Sequence, residues 1–116
     1  PDSAFYFAYI DNQILGYLKL NFGQAQTELQ DKDGLEIERI YVSKEFHGLK
    51  IGQRLYNQAL QTAKHLDLKY IWLGVWEENI RALSFYKKNG FVEFDKHIFV
   101  LGDEEQTDLL MKLTLK

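Results

Sequence analysis

The chain has 116 residues, a formal net charge of -3 and no cysteine, which excludes disulfides, thiolate catalysis and cysteine-ligated metal and leaves no basic face for a nucleic-acid partner. Its 46% hydrophobic and 15% aromatic content supports one packed domain over residues 1–116, large enough to bury roughly two thirds of the surface its unfolded chain exposes. No apolar run reaches the ~18 residues of a membrane span and no signal-peptide pattern leads the chain, so the expectation is a cytoplasmic protein with no membrane partner. His47, His65 and His97 lack the i, i+4 spacing of a helical metal pair, and no metal is expected. The chain starts at Pro1 and enters at once into "AFYFAYI", as if an N-terminal part had been removed.

In chain order, residues 4–10 and 13–20 are β-rich runs separated by the turn dipeptide Asp11-Asn12 and predict a hairpin. The polar stretch "NFGQAQTELQDKDG" follows as a loop. "LEIERIYV" alternates with period 2, which places Glu36, Glu38, Ile40 and Val42 on one face and Ile37, Arg39 and Tyr41 on the other. From Ile51 the period changes: Ile51, Leu55, Ala59, Ala63 and Leu66 step by about one helical turn, predicting an amphipathic helix that ends near His65. "KYIWLGVW" is nearly all apolar and reads as a buried strand with Trp72 and Trp76 in the core. "ENIRALSFYKKNG" reads as a helix with Asn79 near its start and Gly90 as its stop. "FVEFDKHIFVL" and "TDLLMKLTL" flank "GDEEQ" as antiparallel strands. The order strand, strand, strand, helix, strand, helix, strand, strand defines an α/β fold: a mixed, mostly antiparallel sheet flanked by helices.

The junction "SKEFHGLKIGQRLY" joins the third strand to the first helix. Backbone N–H groups in the first turn of a helix lack internal partners, and the helix dipole adds partial positive charge there, so an anion is a natural ligand. Gly48 and Gly52 carry no Cβ to hold a phosphate away from the main chain, and Lys50 and Arg54 add positive charge. Glycines before a helix serve equally as turn and packing devices.

"ERIYVSKEFHGLKIGQRLY" together with the later "GVWEENIRALSFYKKNGFVEF" resembles the acetyl-coenzyme A binding core of the GNAT superfamily of N-acetyltransferases. In that family a strand ends in a pyrophosphate loop of the form Gln/Arg-x-x-Gly-x-Gly/Ala, and a later helix carries Asn, Ala, Phe, Tyr and the ending Gly-Phe. The loop corresponds here to His47 through Gly52, and the helix to Asn79, Ala82, Phe85, Tyr86, Gly90 and Phe91. His47 stands where the family has Gln or Arg, and Lys50 where it usually has glycine. The resemblance covers residues 13–101 and implies a GNAT-like acyl-CoA N-acyltransferase fold without its N-terminal strand and paired helices. It implies acetyl-CoA as cosubstrate, held by Ile40, Tyr41, Val42, His47, Gly48, Leu49, Lys50, Ile51, Gly52, Gln53, Asn79, Ala82, Phe85 and Lys88. "GDEEQTDLLMKL", with "EIERIYV" earlier, is similar to the PaiA-type branch of bacterial polyamine N-acetyltransferases. That likeness implies a primary amine such as spermidine or spermine as acceptor; a protein α-amine or lysine, or a non-catalytic coenzyme A sensor, are the alternatives.

Acetyl transfer to an amine requires the acceptor to lose a proton, because an ammonium has no lone pair, and alkylamines have pKa near ~10.4. Glu36 and Glu38 flank the cofactor loop as candidate base and substrate anchors, since neighbouring carboxylates raise one another's pKa and attract a cation. A solvated strand face is the plainer reading of the pair. The resemblance assigns Tyr86 as proton donor to the leaving thiolate and a backbone N–H near Val42 as donor to the developing oxyanion. Asn79 either binds the amide-rich pantetheine arm or caps its helix. The edge of a terminal strand permits a homodimer.

Overall fold

The computed structural model describes residues 2–116, the side chains of Gly48 and Leu49 excepted. The chain runs β1 (Ser3–Ile10), β2 (Gln13–Phe22), β3 (Gly34–Val42), α1 (Ile51–His65), β4 (Tyr70–Trp76), α2 (Ile80–Lys88), β5 (Val92–Leu101) and β6 (Glu104–Thr114). The strands form one sheet in the order β1-β2-β3-β4-β6-β5. Only β3 and β4 run parallel. The expected element order and mixed sheet are therefore both observed. Asp11, with φ of 54°, makes the tight β1–β2 turn, a conformation that a short polar side chain tolerates better than most.

Both helices lie on one face of the sheet. The stripe Ile51, Leu55, Tyr56, Ala59 and Ala63 buries α1 against Leu18, Leu20, Leu35, Ile37, Ile71, Leu73 and Met111. Tyr56 meets Phe85 edge-on, with ring centroids 5.9 Å apart, and Phe91 at the same distance, which locks α2 to α1. Each fully buried Leu or Ile contributes about 1.5–3 kcal/mol relative to exposure, so this face carries the stability of the domain. α2 ends at Gly90, whose φ of +96° is open to glycine and strained for other residues.

The site is positioned by a failure of pairing. β3 and β4 are in register only at Gly34↔Tyr70, Leu35↔Ile71 and Glu36↔Trp72. β2 continues to pair with β3 as far as Val42, and β6 with β4 as far as Trp76. The two central strands are thus held from outside while they part from each other. A wedge opens between them, and residues 37–42 have no ladder partner on the β4 side.

Two details differ from simple alternation. Lys19 pairs with Arg39 and Leu20 with Ile37, so Glu38 is the extra residue of a β-bulge. Leu35, Ile37, Ile40 and Val42 therefore all turn to the helix side, opposite Phe22, Leu20, Leu18 and Gly16. Glu36 and Glu38 face the other way instead of sharing a face with Ile40 and Val42. Trp72 is core, 1% exposed, but Trp76 is 44% exposed, because β4 has left β3 by that point. The polar loop 23–33 is well anchored. Gln26 is buried and accepts from Trp72 Nε1 at 2.7 Å, while its amide donates to the carbonyls of Gly23 and Asp31. Glu28 reaches His97 on β5, so the loop crosses the face without helices.

Candidate functional site

A cleft of about 680 Å³ occupies the helix side of the wedge. It is lined by Ile40, Tyr41 and Val42 from β3, His47 and Lys50 from the connection, Gly52 and Gln53 from α1, and Asn79, Arg81, Ala82, Phe85, Tyr86 and Lys88 from α2 and its cap. The fold thus gathers residues from both sequence motifs. Ile51 is 7% exposed and packs into the core, so only its backbone is available to a ligand. The expectations for Gly48 and Leu49 fall on side chains outside the described set. Arg81 is the lining residue that the motif spacing did not single out; its signal was a second cation two residues beyond Asn79.

The connection explains the mouth of the cleft. After β3 a 3-10 turn, Lys44–Leu49, leads to Lys50 in the left-handed region at φ 58°, ψ 27°, and the chain then enters α1. This conformation costs a non-glycine residue about 1–2 kcal/mol, which is the physical reason a glycine suits the position. Among the described residues no side chain caps α1, so its first-turn amides are left for another acceptor. A Cβ at Gly52 would meet only Val42 Cγ2, at 3.8 Å; the glycine leaves the cleft floor open. Among the described residues Lys50, Arg81 and Lys88 bring three cations to the lining and no carboxylate accompanies them. That combination fits a phosphate.

On α2, Asn79 Oδ1 accepts from the Ala82 N–H at 3.1 Å, so the cap is formed and its amide nitrogen stays available to the cleft. Tyr86 packs its ring against Phe85 and Phe91 at 5.3 and 5.5 Å. Burial, and secondarily Tyr56, pushes its phenol up to about 12. Tyr86 is therefore a neutral hydrogen-bond donor throughout the physiological range.

The acidic pair lies on the other face of the sheet. Glu36 is 4% exposed. It accepts from the Thr27 N–H at 2.9 Å, the Thr27 hydroxyl at 2.6 Å and Asn21 Nδ2 at 3.0 Å. It pins the loop 23–33 to the sheet. Glu38 is more open; it accepts from the same Asn21 amide at 2.7 Å and pairs with Lys19 at 3.0 Å. The Asn21 hydrogen bond, opposed by partial burial and helped by Lys19, holds its carboxyl below the ordinary value of 4.5. Neither glutamate lines the cleft on the helix side.

A wedge between parallel strands, an uncapped helix mouth and a cation-rich cleft together make a site whose charge and open backbone suit a phosphate. Comparison with known proteins gives the family. The Acetyltransferase (GNAT) family profile matches residues 1–91, and the chain belongs to that family. It is 45% identical over 115 residues to an uncharacterised N-acetyltransferase from the pepI 3′ region of Lactobacillus delbrueckii subsp. lactis, a match covering 99% of this chain and 66% of the relative. A proposed streptothricin acetyltransferase from Bacillus anthracis, solved with acetyl coenzyme A, superposes with a TM-score of 0.84 at 28% identity over 99% of this chain and 64% of that one. A PaiA N-acetyltransferase from Thermoplasma acidophilum, solved with coenzyme A, gives a TM-score of 0.77 at 26% identity over 98% of this chain and 62% of that one. The chain thus spans about two thirds of the length of these proteins.

Proposed function

We propose that this chain is the cofactor-binding and catalytic part of an acetyl-CoA dependent N-acetyltransferase whose acceptor is a small polycationic amine such as spermidine or spermine. The observation that carries the reading is the cleft: cations at its mouth, the unpaired edge of β3 along one wall and Tyr86 on the other. The carrier's diphosphate meets Lys50, Arg81, Lys88 and the first-turn amides of α1. Its pantetheine arm runs between the parted strands beside Asn79, where a free backbone N–H near Val42 supports the carbonyl oxygen as negative charge develops.

An amine nitrogen that has first released its ammonium proton to solvent attacks the thioester carbonyl, a C–N bond forms as the C–S bond breaks, and the nitrogen's second proton leaves through water. A phenol near 12 cannot readily hand its proton to a thiolate of pKa ~8.5, a difference of about 5 kcal/mol. Tyr86 therefore stabilises the departing sulfur by hydrogen bonding, and water completes the protonation. Of the two expected carboxylates, Glu38 is the one with solvent access and serves as anchor for the ammonium. Glu36, the expected base, acts through the shape it gives Asn21 and the loop. The acidic face and the likeness to a PaiA enzyme support the polyamine over a peptide acceptor. The apolar, free-edged β5, with Ile98, Val100 and Leu101 exposed, supports a homodimer.

Free thiol release in the presence of acetyl-CoA and a panel of amines tests the reading. Turnover with spermidine or spermine that exceeds turnover with a monoamine is expected. Turnover confined to a peptide α-amine or lysine would replace the acceptor, and binding without turnover would make the chain a sensor.

A further inference from the structure

We propose that Arg81 is the side chain that recognises the diphosphate of the acyl carrier, and that His47 is its positioning residue. The proposal rests on the cofactor reading above and assigns roles within that cleft. Arg81 sits in the first turn of α2, which Asn79 fixes by its cap, and lines the cleft. Its Nη1 lies 2.6 Å from His47 Nδ1. Among the described residues it enters no ion pair. A guanidinium offers five N–H groups in a planar fork and the histidine takes one of them. The rest of the fork is left for a bidentate, charge-assisted contact, which suits phosphate.

The same contact fixes the histidine. Arginine can only donate, so Nδ1 must accept; Nε2 then carries the proton and donates to the Val42 carbonyl at 3.0 Å. His47 is thus a neutral bridge from the end of β3 to the first turn of α2, across the cleft mouth. It supplies no charge of its own to the phosphate. A glutamine at this position could make the same two bonds, its amide nitrogen donating to Val42 and its oxygen accepting from Arg81. A phenylalanine could make neither.

The test is a binding ladder by calorimetry with acetyl-CoA, the dephospho form lacking the 3′-phosphate, and acetyl-pantetheine lacking all phosphates. Arg81→Met should weaken the first two about 10- to 100-fold and the third less than threefold, the scale of losing hydrogen bonds to a charged group. His47→Phe should reproduce most of that loss, His47→Gln should restore it, and the Arg81→Met/His47→Phe pair should fall short of the product of the single effects. Equal losses for all three ligands would make Arg81 a packing residue. Loss for acetyl-CoA but not the dephospho form would move its contact to the 3′-phosphate and overturn the assignment. His47→Gln no better than His47→Phe would remove the positioning role. Arg81→Lys, which keeps the charge, and the melting temperature of each variant identify any loss caused by misfolding. Wild-type protein that binds acetyl-CoA no tighter than acetyl-pantetheine would overturn the phosphate reading and this assignment together. An intact ladder without amine turnover would overturn the transfer reaction alone.

Discussion

On the helix side of the sheet the cleft is drawn mostly by main chain: two strands held apart by their outer neighbours, a left-handed residue at position 50 and an uncapped first turn of α1. On the opposite side the arrangement is drawn by side chains, with one Asn21 amide serving both Glu36 and Glu38, Thr27 bonding Glu36 twice, and Gln26 taking the Trp72 indole. The difference bears on what each side can tolerate. A cleft made by backbone survives the unusual His47 and Lys50, because neither side chain builds the wedge. A face made by side chains changes its chemistry with any one of them.

The sharpest way to divide the two sides is at Tyr86. Tyr86→Phe keeps the ring's contacts, edge-on to Phe85 and tilted against Phe91, and removes one hydroxyl, so acetyl-CoA should bind normally while turnover falls roughly 10²-fold or more. A donor whose thiol has a lower pKa should recover part of the loss, and full activity with the natural thioester would take Tyr86 out of the reaction. The phenol's shift has a readable sign as well. A pKa raised to about 12 means that stability from the neutral form is complete below pH ~10 and lost as pH rises through the folded value. Tyr70 is likewise pushed up to about 12 by burial and its Asp31 partner, so ultraviolet titration should show one fewer late-ionising tyrosine in the variant, with Tyr70 remaining.

The next effect is at the cleft floor. Gly52→Asp has room for its Cβ but brings a carboxylate to a site that gathers cations, so affinity for acetyl-CoA should drop about tenfold or more with little change in melting temperature. Unchanged affinity in the folded variant would move the phosphate elsewhere.

Glu36→Gln breaks the side-chain face. The glutamine oxygen can still accept from the Thr27 N–H and Asn21, and its new amide can donate to the Thr27 hydroxyl turned round as acceptor, so what is lost is the charge that strengthens all three contacts. A loss of about 1–3 kcal/mol is expected, seen as a fall of several degrees in melting temperature. Loss of turnover at unchanged stability would instead restore Glu36 as the base. Glu38→Gln should raise KM for the amine and leave the cofactor ladder untouched. Because the Glu38 carboxyl is held below 4.5, its contribution to stability is present above that value and lost as pH falls through its folded pKa; the variant should flatten this acid limb.

The smallest effect is a gain. Lys50→Gly removes the left-handed strain at φ 58° and should stabilise the fold by about 0.5–1 kcal/mol, less than the full strain because glycine is freer when unfolded. No rise in melting temperature would mean that the lysine side chain offsets its own strain.

Much of this fold was legible in order of residues. The Asp11-Asn12 turn, the helical step from Ile51 through Ala63, and Gly90 after the second helix each fixed an element within a residue or two, because local chemistry decides such features. The second motif also carried Asn79, Ala82, Phe85 and Tyr86 into the cleft. The phase of β3 was not legible: Glu38 is polar whichever way it points, and a bulge leaves no mark on a run that still looks alternating. Trp76 read as core because apolar content cannot reveal that β4 parts from β3 at that height. Arg81 and His47 met through tertiary structure, across 34 positions of sequence, and no spacing rule connects them.

The extra residue in β3 makes the length of that strand a matter of parity. Leu35 and Ile37 face the helices before Glu38, and Ile40 and Val42 face them after it, which regular alternation cannot achieve. Deleting Glu38 would leave Ile37 and Ile40 two apart, so the strand would drop its bulge, pair regularly with β2 and keep Ile40 and Val42 on the helix side. Deleting Tyr41 instead would make Ile40 and Val42 neighbours in sequence, and one of them would have to leave the cleft wall. The bulge is thus the one place in this stretch where the strand can lose a residue without exchanging its inside for its outside.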